Sequence, residues 1–198
     1  MSWERGYTLL NHFLSLAVLS GEQALTRKPK DNMNSSDAEE KTHRHPETRE
    51  SLHGGVLQVI RSARHELLIS SPALDVALFN SAALSDALSR FLAGRTLNRA
   101  RIVVEDTEHM LMSCTRLVEL ARRLSDLLQI RRLGEAHHGM TELFVVADRE
   151  SCLRQPDIGR INATLDMAAP RLAAPLALRF DEIWDASEPV PGLHGFRL

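Results

Sequence analysis

Five side chains that can bind an anion or a metal lie within eighteen residues of one another in the C-terminal half of the chain. They are His137, His138, Asp148, Arg149 and Arg154. Imidazoles bind phosphate and transition metals, and guanidinium groups bind phosphate or carboxylate through paired hydrogen bonds. The apolar stretch 141–147 has the composition of a buried strand, and residues 150–156 that of a strand returning from a turn. The sequence therefore predicts a hairpin whose ends carry candidate ligand-binding residues.

The same residues also have a structural interpretation, which we prefer. The two histidines can be exposed loop residues, Asp148 can form the turn by bonding to the backbone two residues on, and Arg154 can pair with a nearby acid. Glu135 and Glu142 are the only further metal ligands close in sequence, and Glu142 is expected on the opposite strand face. Neither a metal nor a cofactor is expected.

The hairpin resembles the signature segment of the phospholipase D superfamily. That segment carries a histidine, a lysine two positions later and an aspartate five positions after the lysine. Counting back from Asp148 puts Leu143 in the lysine position and Thr141 in the histidine position, so that only the aspartate is present. The resemblance implies a histidine that attacks phosphorus, a lysine that neutralises phosphoryl charge, and an aspartate that fixes the histidine tautomer.

Threonine and leucine supply neither the nucleophile nor the cation of this chemistry. The loss of covalent and electrostatic terms together costs orders of magnitude in rate. Starting the motif at His138 instead puts Met140 and Val145 in the other two positions. The sequence thus predicts a non-catalytic binding or scaffolding module. The alternative is a divergent phosphodiesterase or nuclease that uses His137 or His138.

Composition argues against several other classes of protein. The 198-residue chain has a formal net charge of −2 and a pI near 6.5, so it has no general basic field for nucleic acid. Its two cysteines, Cys114 and Cys152, have no metal-binding spacing and are expected to be buried apolar residues in a reducing cytosol. A cytoplasmic protein without a strong membrane signal is predicted.

Strands and helices are predicted to alternate as far as residue 133. The helices are 55–64, 81–93 and 115–128, and the strands are 65–71, 101–105 and 128–133. Shorter strands then follow at 141–147, 151–154 and 159–165, before a closing helix at 169–186 in which Pro175 is expected in the first turn or at a kink. Intervening helices imply right-handed crossovers and a mainly parallel sheet.

A second polar group follows the strand 101–105. It consists of Glu105, Asp106, Thr107, Glu108 and His109. Open α/β sheets bind ligands at the carboxyl ends of their strands, which is where this group is expected. An ordinary loop that caps a helix has the same composition, and we prefer that interpretation.

The order of elements resembles one half of a phospholipase D-like fold, and the closing helix carries Phe180 and Trp184 at the spacing often found there. We predict an α/β sandwich over residues 51–198, with a mostly parallel central sheet flanked by helices and an antiparallel motif hairpin. Residues 1–20 are predicted to form an amphipathic helix, and residues 21–50 a disordered polar linker. Histidines 43, 45 and 53 are expected to be solvated, with a metal-binding patch as the alternative.

The resemblance also implies partners. Active members of the superfamily build one site from two halves, so a single half implies a homodimer, which we predict through the hairpin face. Similar degenerate domains form an uncharacterised bacterial family and sometimes follow a GNAT-type acetyltransferase domain. A regulatory domain beside an acetyltransferase is therefore a further alternative. No acetyl-coenzyme A loop of the Arg/Gln-x-x-Gly-x-Gly/Ala type occurs, so acetyl transfer by this chain is not expected.

Overall fold

A computed structural model of the chain describes residues 43–94 and 97–193. The predicted N-terminal helix and the part of the predicted linker up to residue 42 lie outside the described residues. The end of that linker is folded, however, because His43–Arg44 pair with a strand of the sheet and a helix begins at Arg49. The folded domain therefore extends ahead of residue 51, where it was predicted to start.

Within the described residues, eight strands form one sheet. They are β1 (His43–Arg44), β2 (Glu66–Ser71), β3 (Arg99–Val104), β4 (Leu128–Arg132), β5 (Leu143–Ala147), β6 (Ser151–Gln155), β7 (Thr164–Asp166) and β8 (Glu188–Pro189). Their order is β1-β7-β6-β5-β2-β3-β4-β8. The α/β class is confirmed. The parallel arrangement is confined to β2, β3 and β4, so the sheet is mixed rather than mostly parallel. The reason is that no crossover helix follows β4, and β5, β6 and β7 then pair antiparallel.

Helices cover both faces of the sheet. They are α1 (Arg49–Ser62), α2 (Val76–Phe79), α3 (Ala82–Gly94), α4 (Thr107–Ser113), α5 (Thr115–Arg123) and α6 (Pro170–Asp185), with a 3-10 turn at Glu135–His137. None of the helices in the described part of the chain is long and apolar enough to cross a bilayer.

The alternating side chains of the strands divide the interior into two cores. On β5, Leu143, Val145 and Ala147 belong to the larger core, which α1, α3, α4 and α5 cover. Phe144 and Val146 point the other way, into a smaller core that lies under α6. There the ring of Phe180 meets Phe144 edge-on at 6.4 Å and stacks on Trp184 at 5.8 Å.

Local signals explain the start of α1, which the periodicity of the sequence did not predict, and the positions of the prolines in α6. A capping box between Thr48 and Ser51 starts α1 six residues ahead of the predicted position. In α6, Pro170 occupies the first turn, where its missing amide costs nothing. Pro175 lies in the second turn rather than the first, where it removes the hydrogen bond to the Arg171 carbonyl.

Candidate functional site

A cavity of about 660 Å³ opens at the edge of the sheet where β2 ends and β5 begins. This is the carboxyl edge of the parallel strands, where open α/β sheets bind ligands. The apolar side chains that line it include Leu52, Val56, Leu74, Leu78, Phe79 and Leu143, and the polar ones are Arg49, His53, Asp75, His109, Gln155 and Arg160. Its size falls in the range of small-molecule sites, about 300–1,000 Å³.

His53 and Asp75 form the central polar pair of this cavity. The first two turns of α1 carry His53 to the wall, and Asp75 is the N-cap of α2, where it accepts a hydrogen bond from the Ala77 amide at 2.9 Å. The Nε2 atom of His53 lies 3.0 Å from Oδ2 of Asp75. Only 19% of the His53 side chain is exposed, so the pair is held in one geometry by the packing around it.

The environment of Asp75 favours its ionised form. Partial burial by itself raises the pKa of this carboxyl, but the hydrogen bonds from His53 and the Ala77 amide and the charges of His53 and Arg49 outweigh it. The pKa of Asp75 therefore lies below its ordinary value. At neutral pH the carboxylate is charged and already engaged, with Nε of Arg49 at 3.8 Å.

The loop between β6 and β7 forms one wall of the cavity. Nε2 of the buried Gln155 donates to the carbonyl of Arg160 at 2.7 Å. The amide of Ile158 donates to the carbonyl of Thr141 at 2.8 Å, and the Thr141 hydroxyl donates to the carbonyl of Pro156 at 3.1 Å. Thr141, which stands in the histidine position of the motif, thus ties this loop to the start of β5.

Leu143, in the lysine position of the motif, is buried and faces the cavity. The three lysines of the chain, Lys28, Lys30 and Lys41, all precede residue 43. Among the described residues there is consequently no lysine that could return an ammonium group to this cavity. Where the motif would place a cation, the cavity has an apolar surface.

Asp148 lies at the other end of β5, away from the cavity. Its carboxylate accepts hydrogen bonds from the amides of Arg64, His65 and Glu66 at 2.7–2.8 Å. Asp148 is five positions after Leu143, which along an extended strand is a distance of roughly 16 Å. These three hydrogen bonds take the place of the predicted hydrogen bond from the Asp148 side chain to the backbone two residues on. The turn itself forms because Asp148 and Arg149 both adopt positive φ, as in a type I′ turn.

The arginines of the hairpin are paired on the face that α6 covers. Arg149 donates to Asp181 at 2.8 Å. Arg154 binds Glu142, which is buried and also receives a hydrogen bond from Arg179 of α6. Arg154 thus pairs with an acid, as predicted, and Glu142 lies on the predicted strand face, opposite to that of Leu143. The structure does not bring Arg149, Arg154 and Asp148 together with the cavity as one ligand site.

His137 and His138 lie at the 3-10 turn after β4, and neither lines the cavity. The ring of His138 is 3.3 Å from the carbonyl of Leu133. The histidines of the cavity are instead His53 and His109. His109 belongs to the polar group at residues 105–109, which the sequence analysis placed at the carboxyl end of a strand, where open α/β sheets bind ligands. His53 was expected to be solvated, but it is only 19% exposed, because the capping box starts its helix earlier than the apolar periodicity indicated.

The other metal and thiol candidates have structural roles. Within residues 43–94 and 97–193, no group of three or more histidine, cysteine, aspartate or glutamate side chains is arranged to hold a metal ion. His43 hydrogen-bonds to Asp166 and lies 3.1 Å from His45, which attaches β1 to β7. Cys114 and Cys152 are buried, and burial raises the pKa of the Cys152 thiol to about 12.

The mixed sheet and its two covering layers of helices form an α/β sandwich with a cavity at the carboxyl edge of its parallel strands. Residues 48–196 match the family model described as Domain of unknown function (DUF7931), and the chain belongs to this family. None of the curated proteins compared with the chain matches it.

Solved structures that share this phospholipase D-like fold include a chromatin protein and a phospholipase D family member. The archaeal chromatin protein TrmBL2 is 15% identical with a TM-score of 0.53; the match covers 75% of this chain and 53% of TrmBL2, so the chain spans about half of that protein's length. Nuc from Salmonella typhimurium, a phospholipase D family member, is 12% identical with a TM-score of 0.51 over 75% of this chain and 94% of Nuc. NucT from Helicobacter pylori is 11% identical with a TM-score of 0.50, over 71% and 92%. At these identities the similarity shows the fold alone.

Proposed function

We propose that this domain is a non-catalytic binding module, and that its ligand occupies the cavity beside Leu143. The observation that carries the proposal is the position of Leu143, which puts an apolar side chain in the cavity at the lysine position of the motif. Phosphodiester cleavage in this fold needs a nucleophile and a cation at adjacent positions. Thr141 is engaged with the backbone of the neighbouring loop and supplies no base.

The cavity itself supports binding rather than scaffolding alone. It combines an apolar floor with a few convergent polar groups, which is the usual composition of a small-molecule site. Its polar groups are anchored by neighbouring elements: His53 by Asp75, and the loop of Ile158 by Gln155 and Thr141. A wall anchored in this way is preorganised and loses little entropy when a ligand enters.

A divergent phosphodiesterase or nuclease is the second candidate. The sequence suggested His137 or His138 for it, but the hydrogen-bonded pair of His53 and Asp75 in the cavity is the observation that favours it now. A carboxylate that orients an imidazole is the arrangement of a general base, and His109 lines the same cavity. The enzyme would then use histidines from α1 and α4 rather than the motif.

Hydrolysis assays separate the two candidates. Purified protein is incubated with bis-p-nitrophenyl phosphate, plasmid DNA and single-stranded DNA, with and without divalent cations. The binding module predicts no turnover above the buffer rate. Turnover that a His53→Gln, His109→Gln variant abolishes, and that a matched His137→Gln, His138→Gln variant keeps, would replace our proposal with the enzyme.

The same proposal includes a homodimer, but through a surface other than the hairpin face that the sequence suggested. Both faces of β5 and β6 are covered, one by α1 and the other by α6, so the faces of the hairpin are not open to a partner. The open surface of the hairpin is its end at the cavity. There Ile158 and Ile161 are 40% and 47% exposed, which suits an apolar contact between two copies.

Two further partners are weaker candidates. A regulatory role beside a GNAT-type acetyltransferase is tested by co-expression and co-purification with an acetyltransferase encoded nearby. TrmBL2 is described as binding DNA in a novel mode, but the net charge of −2 of the present chain does not favour a similar role.

A further inference from the structure

We infer that the cavity binds a small organic anion with an apolar body, such as an aromatic or branched-chain carboxylate. The body would lie against Leu143, and the carboxylate would lie at the rim formed by Arg49, Arg160, His53 and His109. This inference rests on the proposed function, because it assumes that a ligand occupies the cavity. It adds which class of ligand fits.

The deep part of the cavity selects for an apolar group. Val56, Leu74, Leu78, Phe79 and Leu143 are all buried, and they line the cavity from α1, α2, β5 and the loop before α2. A phosphate placed among them would lose its hydration without gaining donors, which is costly for a charged group. An aryl or branched alkyl group placed there loses only apolar surface to water, which is favourable.

The rim selects for a negative charge. Of the carboxylates in the part of the chain that the structure describes, only Asp75 lines the cavity, and its oxygens are engaged by His53, by the Ala77 amide and at longer range by Arg49. The opposing charges at the rim are Arg49 and Arg160, whose side chains are 71% and 80% exposed. Among the described residues that line the cavity, the carboxylate that would repel an incoming anion is therefore one that already has partners.

Both arginines can turn toward a ligand at little cost. Nε of Arg160 lies 3.6 Å from the half-buried Asp157, and Nε of Arg49 lies 3.8 Å from Asp75; both arginine side chains are themselves exposed. Exposed ion pairs of this length contribute little to stability. A guanidinium group that leaves such a pair can form a bidentate contact with a carboxylate, which is shorter and stronger.

Isothermal titration calorimetry with four probes at neutral pH tests the inference on the full chain. The probes are 4-phenylbutyrate, 4-phenylbutan-1-ol, acetate and inorganic phosphate. We expect 4-phenylbutyrate to bind most tightly, about tenfold more tightly than the alcohol, since one charge-assisted contact is worth roughly that factor. Acetate and phosphate each lack the apolar body and should bind more weakly than the alcohol.

Variants distinguish the two parts of the ligand. Arg49→Gln with Arg160→Gln should remove the tenfold preference for 4-phenylbutyrate over the alcohol. Arg171→Gln, an exposed arginine of α6 beyond the opposite face of the sheet, is the matched control and should keep the preference. Leu143→Gln should weaken both phenyl compounds together. Amide chemical shifts of the wild-type protein give a measurement that needs no variant, and 4-phenylbutyrate should perturb the resonances of Leu143, His53 and Ile158.

Each outcome bears on the inference separately from the proposed function. Phosphate binding more tightly than 4-phenylbutyrate would overturn the ligand class, as would the absence of any shift at the cavity, while a lack of hydrolysis would still support the non-catalytic module. Turnover of a phosphodiester would overturn the module whatever 4-phenylbutyrate does. Equal affinity for the acid and the alcohol would overturn the role of the rim.

Discussion

Asp148 contributes to this fold through its hydrogen bonds. Its carboxylate holds three consecutive backbone amides at the start of β2, and its positive φ is a conformation that aspartate and asparagine tolerate better than most residues. The motif position therefore has a structural use that is independent of any histidine. This explains how the aspartate can be present in a chain in which the other two motif residues are replaced.

Replacing Asp148 tests that use directly. Asp148→Asn keeps the turn conformation but removes the charge and one acceptor, so we expect unfolding to become easier by about 1–2 kcal/mol. Urea denaturation followed by circular dichroism measures the change. Glu150→Gln removes a charge from an exposed position of the same turn and serves as the control. Equal effects of the two substitutions would contradict the role of Asp148 as an anchor.

The two cysteines should react slowly with thiol reagents in the native protein. Burial raises the pKa of both thiols, and it raises the pKa of Cys152 to about 12, so the reactive thiolate is scarce at pH 8. With a chromogenic disulfide reagent, we expect both to be modified rapidly only after guanidinium is added. Rapid reaction of one thiol per chain without denaturant would show that one of these sites opens readily.

At the scale of elements, α1 is positioned by two adjacent glycines that have different surroundings. Gly54 is exposed, and a Cβ added there would meet nothing within 4 Å. Gly55 is buried against the sheet, and a Cβ there would lie 2.8 Å from Cδ1 of Leu153. The helix can approach β6 this closely only because that position has no side chain.

The two glycines should therefore respond to alanine in opposite directions. Gly54→Ala should stabilise the protein by about 0.5–1 kcal/mol, since alanine is the better helix former. Gly55→Ala should destabilise it by about 1–3 kcal/mol, because Leu153 is fully buried and has to repack. Thermal and urea unfolding of the two variants provide each other's control. If both variants were more stable than the wild type, α1 would have to lie farther from β6 than the contact between Gly55 and Leu153 requires.

Another link between elements depends on pH, because Asp75 joins α1 to the start of α2. Its pKa is lowered in the folded protein, so its contribution to stability is present above the ordinary carboxyl pKa and is lost as the pH falls through the lowered one. Asp75→Asn keeps the helix cap but removes this dependence. The stability difference between wild type and variant should therefore shrink when unfolding is measured from about pH 6 down to about pH 3.

The control for this pH series is Asp86→Asn, at an exposed position of α3. It removes one negative charge without disturbing the His53–Asp75 pair. A difference between wild type and Asp75→Asn that grows on acidification would have the wrong sign for a carboxyl with a lowered pKa. It would show that the charge of Asp75 does not stabilise the contact with His53.

At the scale of the whole molecule, local sequence patterns predicted the elements better than the site. The apolar runs predicted β2, β3, β4 and the hairpin, because each run is continuous in sequence. The start of α1 was missed because residues 48–54 contain one apolar residue, Leu52, and so show no periodicity. The cavity depends on side chains from α1, β5 and the loop after β6, and no local pattern shows that Leu143 and His53 meet there.

The last prediction concerns how two copies of the molecule meet. Ile158 and Ile161 project beside the cavity on a loop that Gln155 and Thr141 hold in place, so a partner finds a preformed apolar contact there. We expect sedimentation velocity at high micromolar concentration to give a dimer, and Ile158→Asp with Ile161→Asp to give a monomer because each new carboxylate would be buried at the contact.

Leu172→Asp with Leu178→Asp places the same charges at exposed positions of α6 and should leave the dimer intact. A wild-type monomer under these conditions would end the dimer proposal, and dissociation by the α6 pair alone would move the contact to the opposite side of the sheet.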